Sequence, residues 1–252
     1  MNWFDISAKV AIVTGAGAGL GRDYALTLAG AGAAVACMGR HLASLETVKA
    51  EIEKTGGKAA AICCDVSDEN AIAAAVQQTV ELLGAPDILV NNAGTECAEP
   101  FLAVTAGHFD QIIGVNLRGS YFMAQACAQQ MAKKGGGKII NIASLGSFIG
   151  LADSSVYCAS KGGVMQMTKA QAIELAKDNI QVNAIAPGYF RTEMTEPFFQ
   201  DPVHCQWICE RIPAGRVGTG ADLAGTVLFL SSAASDYITG QTLPVDGGWL
   251  AS

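Results

Sequence analysis

The sequence has little charge, few bases and almost no histidine. Only 15% of its 252 residues are Asp, Glu, Lys or Arg, and 16 bases stand against 23 acids, a formal net charge of −7. Holding nucleic acid by its phosphates takes a surplus of Lys and Arg, so that class of partner is excluded. Long apolar runs are missing too, since none approaches the roughly 20 residues that span a bilayer. The start, MNWFDISAKVAIVTG, lacks the basic residues, apolar stretch and small-residue cleavage site of a signal peptide. A soluble, cytoplasmic protein without a membrane partner is expected. Without export, the eight cysteines are expected to be reduced and mostly buried. No metal site is expected either: Cys63 and Cys64 are adjacent, Cys205 and Cys209 have only His204 beside them, and His41, His108 and His204 are scattered without zinc spacing.

What is present is apolar material and glycine. Half of the chain is hydrophobic, enough for a large core, and the 29 glycines show no collagen period and call for an explanation by position. Short apolar or β-branched runs at Val10–Thr14, Ala34–Met38, Ala59–Cys64, Ile88–Asn91, Lys138–Ala143, Ile180–Ile185 and Thr242–Val245 alternate with helical spacing, as at Leu42–Thr55 and Ser67–Leu83. Ser67 reads as the N-cap of the latter helix, with Asp68 and Glu69 in its first turn. Continuous rather than alternating apolar strands imply a sheet buried on both faces. The repeated strand–helix unit predicts an α/β fold, a doubly wound parallel Rossmann-like sheet of about seven strands with helices on both faces. One domain over residues 1–252 accounts for the chain, with cofactor elements mainly in 8–145 and catalytic and substrate elements mainly in 140–215. The Gly135-Gly136-Gly137 run reads as a helix-to-strand turn.

The first strand runs into Gly15-Ala16-Gly17-Ala18-Gly19-Leu20-Gly21 and then a helix. In such a turn, glycines let the backbone approach a pyrophosphate at a helix N-terminus, where free N–H groups and the helix dipole favour anions. The spacing is Thr14-Gly15-x-x-x-Gly19-x-Gly21, since GxGxxG fails from both Gly15 and Gly17. The second strand ends at Gly39-Arg40. An acid there would bond a ribose 2′-hydroxyl, whereas Arg suits a 2′-phosphate, so NADP(H) is favoured over NAD(H). Ala18 leaves the turn itself without a base, and the role of Arg22 stays open.

Tyr157-Cys158-Ala159-Ser160-Lys161 places a phenol and an ammonium at i and i+4 on one helix face. A nearby ammonium is expected to lower the phenol's proton affinity. Ser144, thirteen residues before Tyr157, follows a strand and could present its hydroxyl to a carbonyl oxygen.

With these residues, and with Asp65, Asn91-Asn92-Ala93-Gly94, Asn116, Pro187-Gly188 and Thr192, the chain resembles the short-chain dehydrogenase/reductase family over essentially its full length. The resemblance implies reversible hydride transfer between a nicotinamide cofactor and a ketone or secondary alcohol. Tyr157 would be the general acid/base, and Ser144 would polarise the substrate oxygen. Lys161 would lower the Tyr157 pKa and hold the nicotinamide ribose, while Asn116 would keep a relay water behind Lys161. The cofactor would lie against Gly15, Gly17, Gly19, Leu20, Gly21, Arg40, Asp65, Val66, Asn92, Ala93, Gly94, Tyr157, Lys161, Pro187, Gly188 and Thr192. Asp65 would accept from the adenine amine, Asn91 would pack against the cofactor, and Thr192 would hold the carboxamide. Family members are commonly homotetramers, with the Tyr157 helix and the C-terminal segment at interfaces.

The substrate is expected among Thr95–Val104, Leu145–Ser155 and Tyr189–Arg211, beyond the carboxyl ends of the strands. The last segment carries Phe190, Met194, Phe198, Phe199, Trp207 and Ile208 and reads as a lid. The stretches Ala186-Pro187-Gly188-Tyr189-Phe190-Arg191-Thr192-Glu193 and Arg211-Ile212-Pro213-Ala214-Gly215-Arg216 resemble those of gluconate 5-dehydrogenases and their deoxygluconate relatives. Glu96 and Glu99, however, would repel a sugar acid if both faced the pocket, so an uncharged ketone is the first expectation and a sugar acid or a carrier-linked 3-oxoacyl group the alternatives. A catalytically silent, dinucleotide-binding regulator is the remaining reading.

Overall fold

A computed structural model describes residues 2–192 and 195–252. Its seven strands are β1 (Val10–Thr14), β2 (Ala34–Gly39), β3 (Ala59–Cys63), β4 (Ile88–Asn91), β5 (Gly137–Ile142), β6 (Ile180–Pro187) and β7 (Thr242–Val245). They form one parallel sheet in the order β3-β2-β1-β4-β5-β6-β7. The chain winds outward from β1 to β3, then returns to place β4 on the other side of β1. This reversal leaves a crevice at the carboxyl ends of β1 and β4, the usual ligand position in such sheets. Four strands have bounds that differ from the sequence expectation: β2 runs on to Gly39, β3 stops at Cys63, β5 begins at Gly137 and ends before Ala143, and β6 runs on through Pro187.

Strand side chains alternate between two cores. Ala11 and Val13 of β1 face a cluster with Tyr24, Leu28, Leu223 and Val227, whereas Ile12 faces Ile72, Val76, Met123 and Met131. The first cluster is closed by α1 (Gly19–Gly30), α2 (Leu42–Lys54) and α9 (Gly220–Ser231), and the second by α3 (Glu69–Leu82) and α5 (Ser120–Lys134). Burial on both faces explains why the strands read as continuous apolar runs.

The N-cap of α3 is Asp68, not Ser67: the Asp68 carboxylate accepts from the Asn70 N–H at 2.8 Å. Ser67 is taken by Asp65, whose Oδ1 accepts both the Ser67 N–H and its hydroxyl, at 2.9 and 2.7 Å. A carboxylate two residues back wins the serine before it can reach the helix.

Before α5, α4 (Ala106–Ile113) passes without a break into a π-helical stretch, Gly114–Gly119. Such widened turns re-aim side chains and often mark functional positions; this one holds Asn116. The long α6 (Ser155–Leu175) packs across β6. After β6 come α7 (Glu196–Phe199) and α8 (Pro202–Arg211). No helix among the described residues is long and apolar enough to cross a membrane. All eight cysteines are free, but only Cys37, Cys64 and Cys127 are buried; Cys63 is exposed and the others are partly exposed, so the expectation of mostly buried thiols fails.

Candidate active site

Two adjoining hollows form the crevice, with volumes of about 620 and 290 Å³. Gly15, Ala18, Ala93 and Gly94 border both. Together they make one groove crossing the carboxyl edge of the sheet from the end of β3 to the end of β6.

The glycine turn sits between the two hollows. Gly15 has φ +66°, a left-handed conformation that favours glycine. At Gly21 a Cβ would lie 2.1 Å from the Gly15 carbonyl, so α1 can start this close to the strand only with glycine there. Thr14 and Asn92 tie the turn to β4. The Thr14 hydroxyl accepts from the Asn92 and Ala93 N–H groups at 3.0 and 2.9 Å, and the Asn92 amide donates to the Thr14 carbonyl at 2.9 Å. The cap residue of α1, Ala18, offers no side-chain acceptor, and the first turn has no acid. Its N–H groups therefore face the groove without a side-chain partner and suit an anion.

Every residue predicted to touch the cofactor except Asn91 lines this groove: Gly17, Arg40, Asp65 and Val66 in the larger hollow, Gly19, Leu20, Gly21, Asn92, Tyr157, Lys161, Pro187, Gly188 and Thr192 in the smaller, and Gly15, Ala93 and Gly94 in both. Asn91 is buried, donating to the Ser120 carbonyl and to Asn141 Oδ1, each at 2.9 Å. Alternation along β4 turns Asn91 inward and frees Asn92 for the groove. Arg22 also lies apart, paired with Glu51 and 3.7 Å from Asp23.

The larger hollow adds two residues that the sequence reading missed. His41 and Ser44 line it beside Arg40, where α2 begins with no side-chain cap on its N-cap residue, His41. An arginine, a serine hydroxyl and a helix start form a chemically consistent phosphate cradle. Asp65 across from them is held below the usual carboxylate range, first by its bonds from Ser67 and then by the nearby Arg40 charge.

In the smaller hollow, Ser144, Tyr157 and Lys161 come together. The Ser144 hydroxyl, whose own influence acts to lower the Tyr157 pKa, accepts from the Gly146 N–H at 3.2 Å. Ser147 bridges the loop to α6, accepting from the Ser144 N–H and donating to the Lys161 carbonyl at 2.8 Å. Lys161 Nζ donates to the Ile142 carbonyl at 2.7 Å and lies 5.8 Å from the Tyr157 ring centre. Asn116 is fully buried: its Oδ1 accepts from the Thr95 N–H at 2.8 Å, and its amide donates to the Thr95 carbonyl and Ser160 Oγ. A Cβ at Gly94 would sit 3.5 Å from Asn116 Oδ1 and 3.6 Å from Lys161 Nζ, so glycine keeps the space between those two groups clear.

The expected lowering of the Tyr157 pKa is not found. Burial pushes Tyr157 up to about 12; the Ser144 bond opposes this and the Glu96 carboxylate adds to it. Burial pulls Lys161 down to about 8, with Glu96 opposing. Desolvation outweighs the helix-face pairing that the sequence suggested.

Glu96 is thus the acid whose charge reaches the site, with Ser154 donating to it at 2.5 Å. Glu99 is turned away onto His108 Nδ1, at 2.9 Å. Contrary to the spacing argument against metal ligands, this turn brings Cys97, Glu99 and His108 together.

From the segment expected to form a lid, Phe190, Thr192 and Thr195 line the smaller hollow. Phe199, Ile208 and Ile212 pack with Leu145 and Trp249 in a small core of their own. Tyr189 lies 4.8 Å from Trp249 between ring centres, and Arg211 stacks on Trp249 at 4.5 Å. Arg191 lies 3.2 Å from Glu196, whereas no carboxylate among the described residues is within ion-pairing distance of Arg211. Met194 lies outside the described residues, as does the Phe198 side chain.

Comparisons with known proteins agree with this geometry. Residues 15–250 match the family described as Enoyl-(Acyl carrier protein) reductase. The chain is 42% identical over 252 residues to the 2-dehydro-3-deoxy-D-gluconate 5-dehydrogenase of Dickeya dadantii, covering 100% of this chain and 99% of that one. It is 39% identical to the gluconate 5-dehydrogenase of Gluconobacter oxydans, covering 97% and 96%. The crystal structure of a gluconate 5-dehydrogenase from Burkholderia cenocepacia, in complex with NADP and tartrate, superposes with a TM-score of 0.96 at 38% identity, covering 99% and 98%. The chain belongs to the short-chain dehydrogenase/reductase family. Within it, the protein is an NAD(P)-dependent oxidoreductase that interconverts secondary alcohols and ketones.

Proposed function

We propose that this protein reversibly reduces the ketone of a polyhydroxylated sugar acid with NADP(H). The supporting observation is the balance of charges around the pocket. Glu96 acts on Tyr157 and Lys161 at the reacting end, whereas at Tyr189, which burial shifts first, the charge of Arg211 outweighs that of Glu96. A substrate with hydroxyls near its ketone and a carboxylate several carbons away fits that balance, with hydroxyls donating to Glu96 and the carboxylate meeting Arg211. The gluconate-type relatives point the same way.

The cofactor, when bound, supplies the hydride. The N–H groups at Gly19, Leu20 and Gly21 would take the pyrophosphate. Arg40, His41 and Ser44 would hold the 2′-phosphate, Asp65 and Val66 would border the adenine, and Pro187, Gly188 and Thr192 would position the carboxamide. Tyr157, a phenol protonated at neutral pH whose pKa burial raises further, donates its proton to the substrate oxygen as negative charge develops there, and Ser144 donates a hydrogen bond to the same oxygen. Lys161 would hold the ribose, and Asn116 fixes the backbone at Thr95 through bonds to its N–H and its carbonyl. In oxidation the same groups work in reverse.

Glu96 also supports a second reading, an uncharged polyhydroxy ketone, since its charge disfavours a substrate carboxylate placed close to Tyr157. One panel separates the two: 5-ketogluconate, a neutral ketose and a simple diketone, each with NADPH and with NADH, on the native enzyme and on Arg211→Ala. The sugar-acid reading expects KM for the keto acid alone to rise in the variant, by about ten- to a hundredfold for a lost charge-assisted bond. Turnover of only the neutral ketones would overturn it.

Cytoplasmic residence and a homotetramer complete the proposal. Exposed Phe101, Leu102, Phe109 and Tyr121, in and around α4 and α5, leave apolar surface for subunit contact. Light scattering after size exclusion tests the assembly.

A further inference from the structure

The loop after β4 carries a second constellation that the reduction does not use. Cys97 Sγ lies 3.7 Å from His108 Nδ1, Glu99 Oε1 lies 2.9 Å from the same nitrogen, and the three ligand atoms are all within 4.8 Å of one another. Thiol, carboxylate and imidazole thus meet at one point. In a nucleophilic triad the acid and the thiol would use opposite ring nitrogens. Here both approach Nδ1, which is the arrangement of ligands around an ion.

The distances fit such an ion. Zinc bonds of about 2.3 Å to sulfur and about 2.0–2.2 Å to nitrogen and oxygen, at tetrahedral angles, put ligand atoms roughly 3.3–3.6 Å apart. Small side-chain rotations would bring the observed 2.9 and 3.7 Å to those values.

Both arms are already anchored. The Thr105 hydroxyl caps α4 by accepting from the His108 N–H at 3.2 Å, which fixes the histidine in the first turn. On the other arm the Glu99 N–H donates to the Asp153 carbonyl at 2.8 Å, and Asn116 clamps Thr95. A site held in advance on both sides loses little entropy when an ion arrives. His108 keeps 43% of its side-chain surface exposed, which leaves the ion a path in and a fourth position for water.

We propose that Cys97, Glu99 and His108 form a three-ligand site for a borderline-soft divalent cation, Zn²⁺ before others. A thiolate and an imidazole select Zn²⁺ or Co²⁺ over Mg²⁺ and Ca²⁺, which prefer all-oxygen shells. The bound ion takes the place of the proton between His108 and Glu99 and of the Cys97 thiol proton. It joins α4, whose Asp110 and Gln111 line the larger hollow, to the loop that carries Glu96, so its occupancy stiffens that wall of the groove.

The test is a Co²⁺ titration of the full-length protein, prepared under reducing conditions and freed of metal with a chelator. Visible bands report tetrahedral coordination, and a near-ultraviolet sulfur-to-cobalt band reports the thiolate; Zn²⁺ then displaces the Co²⁺ as a competitor. Saturation at one Co²⁺ per chain with a sulfur-to-cobalt band is expected, together with at least about tenfold weaker binding in Cys97→Ser and in His108→Ala. Cys209→Ser, on α8, is expected to bind as the native protein does. NADPH affinity, measured in parallel, confirms that each variant is folded. Absence of saturable Co²⁺ binding in the native protein, unchanged binding in His108→Ala, or loss in Cys209→Ser instead would each overturn the assignment.

Discussion

The two ends of the groove are built by different means. At the nucleotide end the surface is largely backbone: glycines, helix N–H groups, and the Thr14 and Asn92 bonds that lock β1 to β4. It rests on the two large cores and cannot shift without them. The lid end rests on a small satellite core around Trp249, joined by aromatic and cationic stacking. Backbone geometry fixes one cofactor, whereas side-chain stacking can be rebuilt for different substrates. Substitutions at the two ends are therefore expected to separate cleanly, cofactor affinity at one and substrate KM at the other, with kcat governed where they meet.

Tyr157→Phe, at that meeting point, has the largest expected effect. Removing the proton donor lowers kcat by about 10²–10⁴-fold, while NADPH affinity measured by calorimetry stays near native. Residual activity above a tenth of native would assign the proton to another group. Arg40→Ala comes next. Loss of a charge-assisted bond to the 2′-phosphate weakens NADPH roughly ten- to a hundredfold and leaves NADH unchanged; an equal loss for both cofactors would move Arg40 from recognition to structure.

The pH dependence sharpens the comparison. Lys161 is a base whose pKa falls from 10.5 to about 8, so it is charged below that value and neutral above it. Ribose holding by the ammonium is therefore present at pH 6–7 and lost as pH rises through about 8, while Tyr157 keeps its proton until about 12. Ketone reduction is expected to fall across that window through KM for NADPH. Lys161→Arg, charged throughout, is expected to flatten the profile, and a native profile flat to pH 10 would contradict this role for Lys161.

The nucleotide end was legible in the sequence because its residues are demanded by backbone geometry. Gly15 needs a left-handed φ, Gly21 sits against a carbonyl, and neither tolerates a substitute. The strands were legible because burial on both faces leaves an uninterrupted apolar run. Less visible were features set by which way side chains turn in the fold. Spacing could not reveal that Glu99 turns to His108 while the charge of Glu96 reaches Tyr157, nor that His41 and Ser44 join Arg40 around the start of α2. The sign of the Tyr157 shift was missed for a related reason. Spacing gives the neighbour, Lys161, but not the depth of burial, and here burial decides.

Trp207→Ala carries the smallest expected effect and tests the lid most directly. Trp207 remains 46% exposed, stacked with His204 at 5.6 Å between ring centres and edge-on to Trp249 at 6.1 Å. Truncating it removes one wall of the satellite core and leaves the sheet untouched. An aromatic contact is worth about 0.5–1.5 kcal/mol beyond the area it buries. Thermal stability should then fall by only a few degrees at most, for a domain of this size. If the lid is shaped by this stacking, substrate KM rises several-fold while NADPH affinity and the pH profile stay native. Were NADPH affinity to weaken in step with KM, the two ends would be one mechanical unit, and the separation argued from their construction would fail.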